Sequence, residues 1–167
     1  ITALNEKELA KVRLDEMGFI FQQMHMLKNL SIMDNILLPA YQSAKKDRTR
    51  AQMNEDCREL MRKLGITEIA GNDITEVSGG QLQRACICRS LINQPKLLFA
   101  DEPTGNLDSN TSRDIMNMMR KVVREQKKTL VMVTHDNHLA GFADRIFHII
   151  DGKIVKIEDN RQGEHEE

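Results

Sequence analysis

The chain has 167 residues, 40% of them hydrophobic, and sets 24 basic against 25 acidic side chains for a net charge of -1. That length can bury one sizeable core, while the near-neutral balance lacks the basic excess of a chain that neutralises many phosphates. Mean hydropathy is -0.47, no apolar run reaches the roughly 18 to 20 residues of a bilayer span, and Ile1 to Ala10 carries no visible targeting signal.

The first predicted helix opens at Asn5, with Glu8 three residues on to complete a reciprocal cap, and runs to about Asp15. Gly18 then precedes Phe19, Ile20 and Phe21, a short buried strand that ends in Gln22 and Gln23. A Met- and Leu-rich connection from Met24 to Leu30 leads into a short helix that starts at Ser31 and is expected to stop at Pro39. Lys45 to Arg50 reads as a solvated basic loop. Met53, Cys57, Leu60, Met61 and Leu64 share one face of the next helix, and Gly65 is its stop. Ser78, Gly79 and Gly80 open a further helix, which Pro95 ends.

The last third alternates differently. Leu97 to Ala100 and Leu130 to Val133 are continuous apolar runs, closed by Asp101-Glu102 and by Thr134-His135. Between them Ile115, Met118, Met119, Val122 and Val123 form one helical stripe. Continuous apolar strands joined by an amphipathic helix predict a parallel sheet covered on both faces. Ile146–Ile150 and Lys153–Ile157 flank Asp151-Gly152, a two-residue hairpin signal. The fold class is α/β with a mostly helical insert. Cys57, Cys86 and Cys88 are too few for a disulfide framework and lack further metal ligands nearby, so they read as apolar fillers.

Four groups in this pattern carry chemistry. Asp101 and Glu102 close a buried strand where open α/β sheets place ligands: one can ligate Mg2+ through oxygen while the other polarises a water for in-line attack on phosphate. Strands often end in acids, so this pair alone is a weak signal. Ser78-Gly79-Gly80-Gln81 puts a hydroxyl and two glycines at a helix start, an anion site if it is more than an ordinary cap. His135, expected on the same sheet edge, can donate to a phosphate oxygen. Gln22 closes its own strand with an amide that can ligate a cation and hold a water.

In order and spacing these groups resemble the motifs of ATP-binding cassette (ABC) transporter ATPases. Phe19 to Gln23 is similar to the Q-loop, Ser78 to Arg84 to the signature motif, and Leu97 to Glu102 to Walker B. Gly105-Asn106-Leu107-Asp108 is similar to the D-loop and Thr134-His135-Asp136 to the H-loop, while Val77 stands where the family usually has Leu. The resemblance implies ATP and Mg2+ as cofactors, with Asp101 and Gln22 at the metal, Glu102 as general base, and His135 at the γ-phosphate. It implies that Gln22 senses the attacking water and relays that state to a membrane permease, which meets the chain at the Q-loop and helical subdomain. Ser78, Gly79, Gly80 and Gln81 would touch the nucleotide of a second ATPase subunit in a head-to-tail dimer, and Asp108 would cross that interface. Met24, Met26, Leu27, Leu30, Ile32, Met33, Ile36 and Leu37 offer a flexible apolar surface for the permease or else fill the helical core. Within the family, Asp101 to Asp108 is most similar to ATPases of lipoprotein-release, macrolide-export and antimicrobial-peptide-resistance systems. A peripheral place on the cytoplasmic face of the membrane is implied, with no nucleic-acid partner.

The phosphate cradle Gly-x-x-x-x-Gly-Lys-Ser/Thr is missing, and the sole Gly-Lys pair, Gly152-Lys153, lies in the hairpin. The expectation is a P-loop NTPase core without its N-terminal strands, truncated before the Q-loop. Residues 1–23 and 95–157 would be catalytic core, 24–94 a helical and signature subdomain, and 158–167 an acidic disordered tail. The alternatives are a degenerate subunit that completes a partner's site without binding ATP, and a soluble paired-cassette protein acting on ribosomes or DNA.

Overall fold

The computed structural model describes residues 3–43 and 47–160. The chain forms two compact units, the first ending at Val133 and the second beginning at Thr134.

In the first unit, α1 (Glu6–Glu16) begins at Asn5, whose side-chain Oδ1 accepts the Glu8 amide at 3.0 Å while the Glu8 carboxylate accepts the Asn5 amide at 2.9 Å. The chain then passes directly into β1 (Met17–Phe21). Before α2 (Ile32–Gln42), the connection is held by Asn35, which is buried. Its Oδ1 accepts the Leu27 amide at 2.7 Å and its Nδ2 reaches the carbonyls of Leu27, Leu30 and Ser31. The helix does not stop at Pro39 as expected but continues to Gln42. Its buried face, Ile36, Leu37 and Ala40, packs against the core, and Asn93 Nδ2 donates to the Pro39 carbonyl at 3.0 Å, so tertiary contacts outweigh the lost helical bond.

Residues 44–46 of the expected basic loop lie outside the described residues, but Arg48 is no solvated side chain. Its guanidinium donates to the Ile92 carbonyl at 2.9 Å and to Asn93 Oδ1 at 2.9 Å, and pairs with Asp56 at 3.3 Å. Thr49 caps α3 (Arg50–Lys63), and Gly65 follows it with φ +65°, the left-handed stop that glycine supplies cheaply. A 3-10 turn, Thr67–Ile69, precedes α4 (Gly79–Leu91), which buries Gln83, Ala85, Ile87, Leu91 and two of the cysteines.

The sheet is parallel, in the order β1, β2 (Leu97–Asp101), β3 (Thr129–Val133), with Phe21, Asp101 and Val133 level at its C-terminal edge. Gly18 lies where α4 crosses: a β-carbon there would sit 2.4 Å from the Ser90 carbonyl and 2.6 Å from Leu98. That face, with Ile20, Leu98 and Ala100, is buried. The opposite face departs from the expectation of cover on both sides. Phe19 stacks on Phe99 at 5.4 Å, yet Phe21 is 44% exposed, Val131 44% and Val133 62%. Between β2 and β3 runs α5 (Ser109–Glu125), which buries Ile115, Met116, Met119 and Val122.

The three cysteines are buried and free, as fillers should be. Burial pushes the Cys57 thiol up to about 12 and the Cys86 thiol to about 11, and raises Cys88 as well.

The second unit holds a one-turn helix, α6 (Asn137–Ala140), and an antiparallel hairpin of β4 (Arg145–Ile150) and β5 (Lys153–Asp159). Asp151 and Gly152 turn it with φ of +49° and +72°, as the sequence pair implied. The last strand takes in Glu158 and Asp159, and the Asn160 amide bonds the Asp144 carbonyl at 2.8 Å. Of the expected acidic tail, residues 161–167 lie outside the described residues.

Candidate active site

The sheet edge gathers three of the residues singled out from sequence. Asp101 ends β2 with its carboxylate exposed. Glu102 has already left the strand: its φ is +43°, a left-handed conformation that an L residue adopts at a cost, and its amide donates to the Val133 carbonyl at 3.0 Å. The expectation that both acids project from one strand is therefore corrected, and a backbone turn separates their directions. A tight loop follows, with the Gly105 amide on the Glu102 carbonyl at 3.1 Å and the Leu107 amide on the Thr104 carbonyl at 3.0 Å.

Gln22, one residue past β1, lies against this loop. The Gly105 α-carbon faces it so closely that a β-carbon there would sit 3.0 Å from Gln22 Nε2, and Asn106 Nδ2 donates to the Gln22 carbonyl at 3.3 Å. A carboxylate at a strand end, a second carboxylate on a strained turn and an amide against the loop that follows can order a hydrated divalent cation and a water together. Among the described residues no group of three His, Cys, Asp or Glu is close enough to hold a metal ion, so a cation here needs other oxygen ligands as well.

The second cluster is built on the first turn of α4. The Ser78 hydroxyl accepts the Gln81 amide at 3.2 Å, Gln81 Oε1 accepts the Ser78 amide at 2.9 Å, and Gln81 Nε2 reaches Glu68 at 3.4 Å. The first-turn amides at Gly79 and Gly80 have no intrahelical acceptor. On its inner side this turn meets the loop that continues from Glu102: β-carbons at Gly79 and Gly80 would lie 3.4 Å from Leu107 and 2.9 Å from Thr111. Asp108 caps α5, accepting from the Thr111 hydroxyl at 2.6 Å, the Thr111 amide at 3.0 Å and the Asn110 amide at 3.1 Å. The Thr111 hydroxyl and amide bonds hold the Asp108 carboxyl below its usual 3.8. Thr111 was not singled out from sequence, although an Asp with Thr three residues on at a helix start was a visible capping signal.

His135 lies in the second unit, two residues past β3 in the chain and exposed. Beside it the Thr134 hydroxyl accepts the Asp136 amide at 3.1 Å, and Asp136 caps α6 through the His138 amide at 2.7 Å.

Comparison with known proteins adds an independent line. The family model described as ABC transporter matches residues 2–105. The chain is 39% identical over 155 residues to a macrolide export ATP-binding/permease protein of Chlorobaculum tepidum, covering 93% of this chain and 23% of that protein. It is 42% identical over 154 residues to the bacitracin export ATP-binding protein of Halalkalibacterium halodurans, covering 92% and 60%. With the lipoprotein-releasing system ATP-binding protein of Rickettsia felis it shares 40% over 143 residues, covering 86% and 63%. The chain thus spans less than two thirds of these curated relatives. Among solved structures it resembles a dimeric, post-hydrolysis ATP-binding cassette with ADP and Pi bound, at TM-score 0.84 and 34% identity over 95% of this chain and 69% of that one.

Proposed function

The chain belongs to the ABC transporter family, and from that membership we propose that it serves as the ATP-hydrolysing subunit of a transporter that drives export, or the handling of lipoproteins or peptides, through a membrane permease. The observation that carries this is the meeting of Gln22, Asp101 and Glu102 at one sheet edge, a geometry suited to in-line attack on a phosphoryl group. In this reading ATP supplies the transferable phosphoryl group and Mg2+ neutralises its charge. Asp101 holds the cation's hydration shell, Glu102 takes a proton from the attacking water, and Gln22 orients that water. His135 donates to the γ-phosphate oxygen.

The first turn of α4 contributes to a second site. Its Gly79 and Gly80 amides and the Ser78 hydroxyl face outward, where they would donate to the γ-phosphate held by an opposing subunit. Asp108 belongs at that contact through the helix it caps. The cradle for the β- and γ-phosphates is not among these 167 residues, so the chain supplies the hydrolytic and cross-subunit parts of the site. Residues 24–94 form the helical and signature subdomain in this reading, and Leu27, 46% exposed, marks the surface that meets the permease.

No helix among the described residues is long and apolar enough to cross a membrane. A peripheral place on the cytoplasmic face, held by the permease, follows from the proposal. Purification of the full-length protein from membranes tests it. Co-isolation with a permease and Mg2+-dependent ATP hydrolysis that Glu102→Gln abolishes are expected. Co-isolation with ribosomes in place of a permease would overturn the transport reading.

A further inference from the structure

Helix α4 carries the outward-facing glycine turn at its start, and at its other end it grips the segment that leaves Gln22. Arg89 lies about 15 Å along the helix from Gly79, at 1.5 Å per residue. Its guanidinium donates to two successive carbonyls, that of Met24 at 2.7 Å and that of His25 at 2.8 Å. The Cys86 thiol, one turn earlier, donates to the same Met24 carbonyl at 3.4 Å. A planar fork fits two fixed carbonyls in a way that a single ammonium cannot. The segment is bent to meet it: His25 has φ +45°, a conformation that an L residue keeps only where its surroundings hold it.

These contacts link two parts of the site that the sheet does not connect. Gln22 stands against Gly105 and Asn106 on one side, while the α4 turn stands against Leu107 of the same loop and Thr111 in the first turn of α5. We propose that Arg89 is a positioning residue, which clasps the backbone after Gln22 to α4 so that Gln22 and the Ser78–Gln81 turn are displaced together. Movement of the exposed Met24–Leu30 connection by a partner is then transmitted through the carbonyls of Met24 and His25 to the helix that faces the opposing nucleotide. This inference rests on the ATPase reading for its consequence in turnover, but the clasp itself is a property of this chain.

The test uses the full-length protein assembled with its membrane partner, as wild type, Arg89→Gln and Arg89→Lys, followed by amide hydrogen exchange and by ATP turnover. In both variants, amides 23–27 should exchange roughly tenfold faster while those of β2 keep their protection. The kcat should fall roughly tenfold or more with KM for ATP within about twofold, because positioning and not binding is lost. Arg89→Lys should not restore either value. Wild-type exchange at 23–27, or a rise spread evenly over the first unit, overturns the proposal, as does unchanged kcat with loosened amides. If the Arg89 variants fail to fold, wild-type native-state exchange at rising denaturant decides: amides 24–26 should open together with the last turn of α4, and opening of 24–26 independently of that turn would overturn the clasp. Wild-type turnover is the control: without it the ATPase reading fails, and hydrogen exchange alone decides the clasp.

Discussion

The Glu102 amide donates to the Val133 carbonyl at 3.0 Å while the Glu102 backbone stands at φ +43°. The sheet's last cross-strand bond is thus made by a residue that has already turned left-handed, which fixes where its carboxylate begins. For an L residue this conformation costs on the order of 1 kcal/mol. Strain held at such a point is expected where geometry serves chemistry. Glu102→Gly should therefore raise the melting temperature, or leave it unchanged, while abolishing hydrolysis in the assembled transporter. Glu102→Gln, which keeps the backbone cost, should lower kcat by roughly 10²- to 10⁴-fold, the range of a lost general base. Thermal unfolding and steady-state hydrolysis check the two halves separately.

The two glycines of the α4 turn should part company. At Gly80 an added methyl meets Thr111 Cγ2 at 2.9 Å, and the β-branched Thr111 has little freedom to yield. Overpacking of this kind costs roughly 1 to 3 kcal/mol, against a helix-propensity gain of about 1 kcal/mol. Gly80→Ala is expected to destabilise the first unit. At Gly79 the nearest atom, Leu107 Cδ2, lies 3.4 Å away, an ordinary contact, so Gly79→Ala should be neutral or stabilising. Both should lower ATP turnover by blocking close approach to the first-turn amides. Denaturant unfolding of the two variants side by side measures the difference, and equal destabilisation would contradict this account.

Asp108 gives the fold a dependence on acid. Its carboxyl is held below the usual 3.8, first by the Thr111 hydroxyl and then by the Thr111 and Asn110 amides. A depressed pKa means stability that is fully present above the unfolded-state value and is lost as pH falls through the folded one. The Asp108 contribution should thus be intact at pH 7 and begin to fall away below about pH 4. Asp108→Ala should lower the melting temperature by a few degrees at pH 7, consistent with a lost N-cap, and the gap from wild type should narrow progressively as pH falls below about 4. A gap that does not narrow at all with falling pH, down to the acid limit of the folded chain, would assign the loss to packing instead.

Much of the site was legible from the residues because its parts sit where elements end. Continuous apolar runs marked β2 and β3, and the acids that closed β2 marked the functional edge. The left-handed turn at Glu102 was hidden, since no glycine signals it. The arginines were hidden for another reason. Arg48 meets Ile92, 44 positions away, and Arg89 meets His25, 64 away, so neither contact leaves a local periodicity to read. Pro39 was read by a local rule that the α2 packing and Asn93 override. The open face of the sheet was obscured because an apolar strand looks alike whether one or both of its faces are covered.

The buried thiols should be chemically silent. With Cys57 pushed up to about 12 and Cys86 to about 11, almost no thiolate exists at pH 8, and the thiolate is the reactive species. Alkylation of the native protein at pH 8 should modify none of the three over the time in which the denatured chain reacts fully. Rapid labelling of Cys86 alone would show that the Met24 contact opens.

The 167-residue chain by itself should neither bind nucleotide nor remain monomeric. A parallel sheet normally has both faces covered, yet Phe21, Val131 and Val133 lie open on one, beside edges at β1 and β3 that no strand among the described residues pairs. Unpaired edges and apolar faces promote self-association. Light scattering should show concentration-dependent growth, and Val133→Lys, which charges the most exposed of these positions, should reduce it without loss of helical signal. Titration with Mg-ATP in a calorimeter should give no saturable heat, because the 167 residues hold no Gly-x-x-x-x-Gly-Lys-Ser/Thr pattern. Saturable binding at micromolar concentration would mean that the sheet edge and the α4 turn hold nucleotide unaided, and the proposed division of the site between this chain and other polypeptide would be wrong.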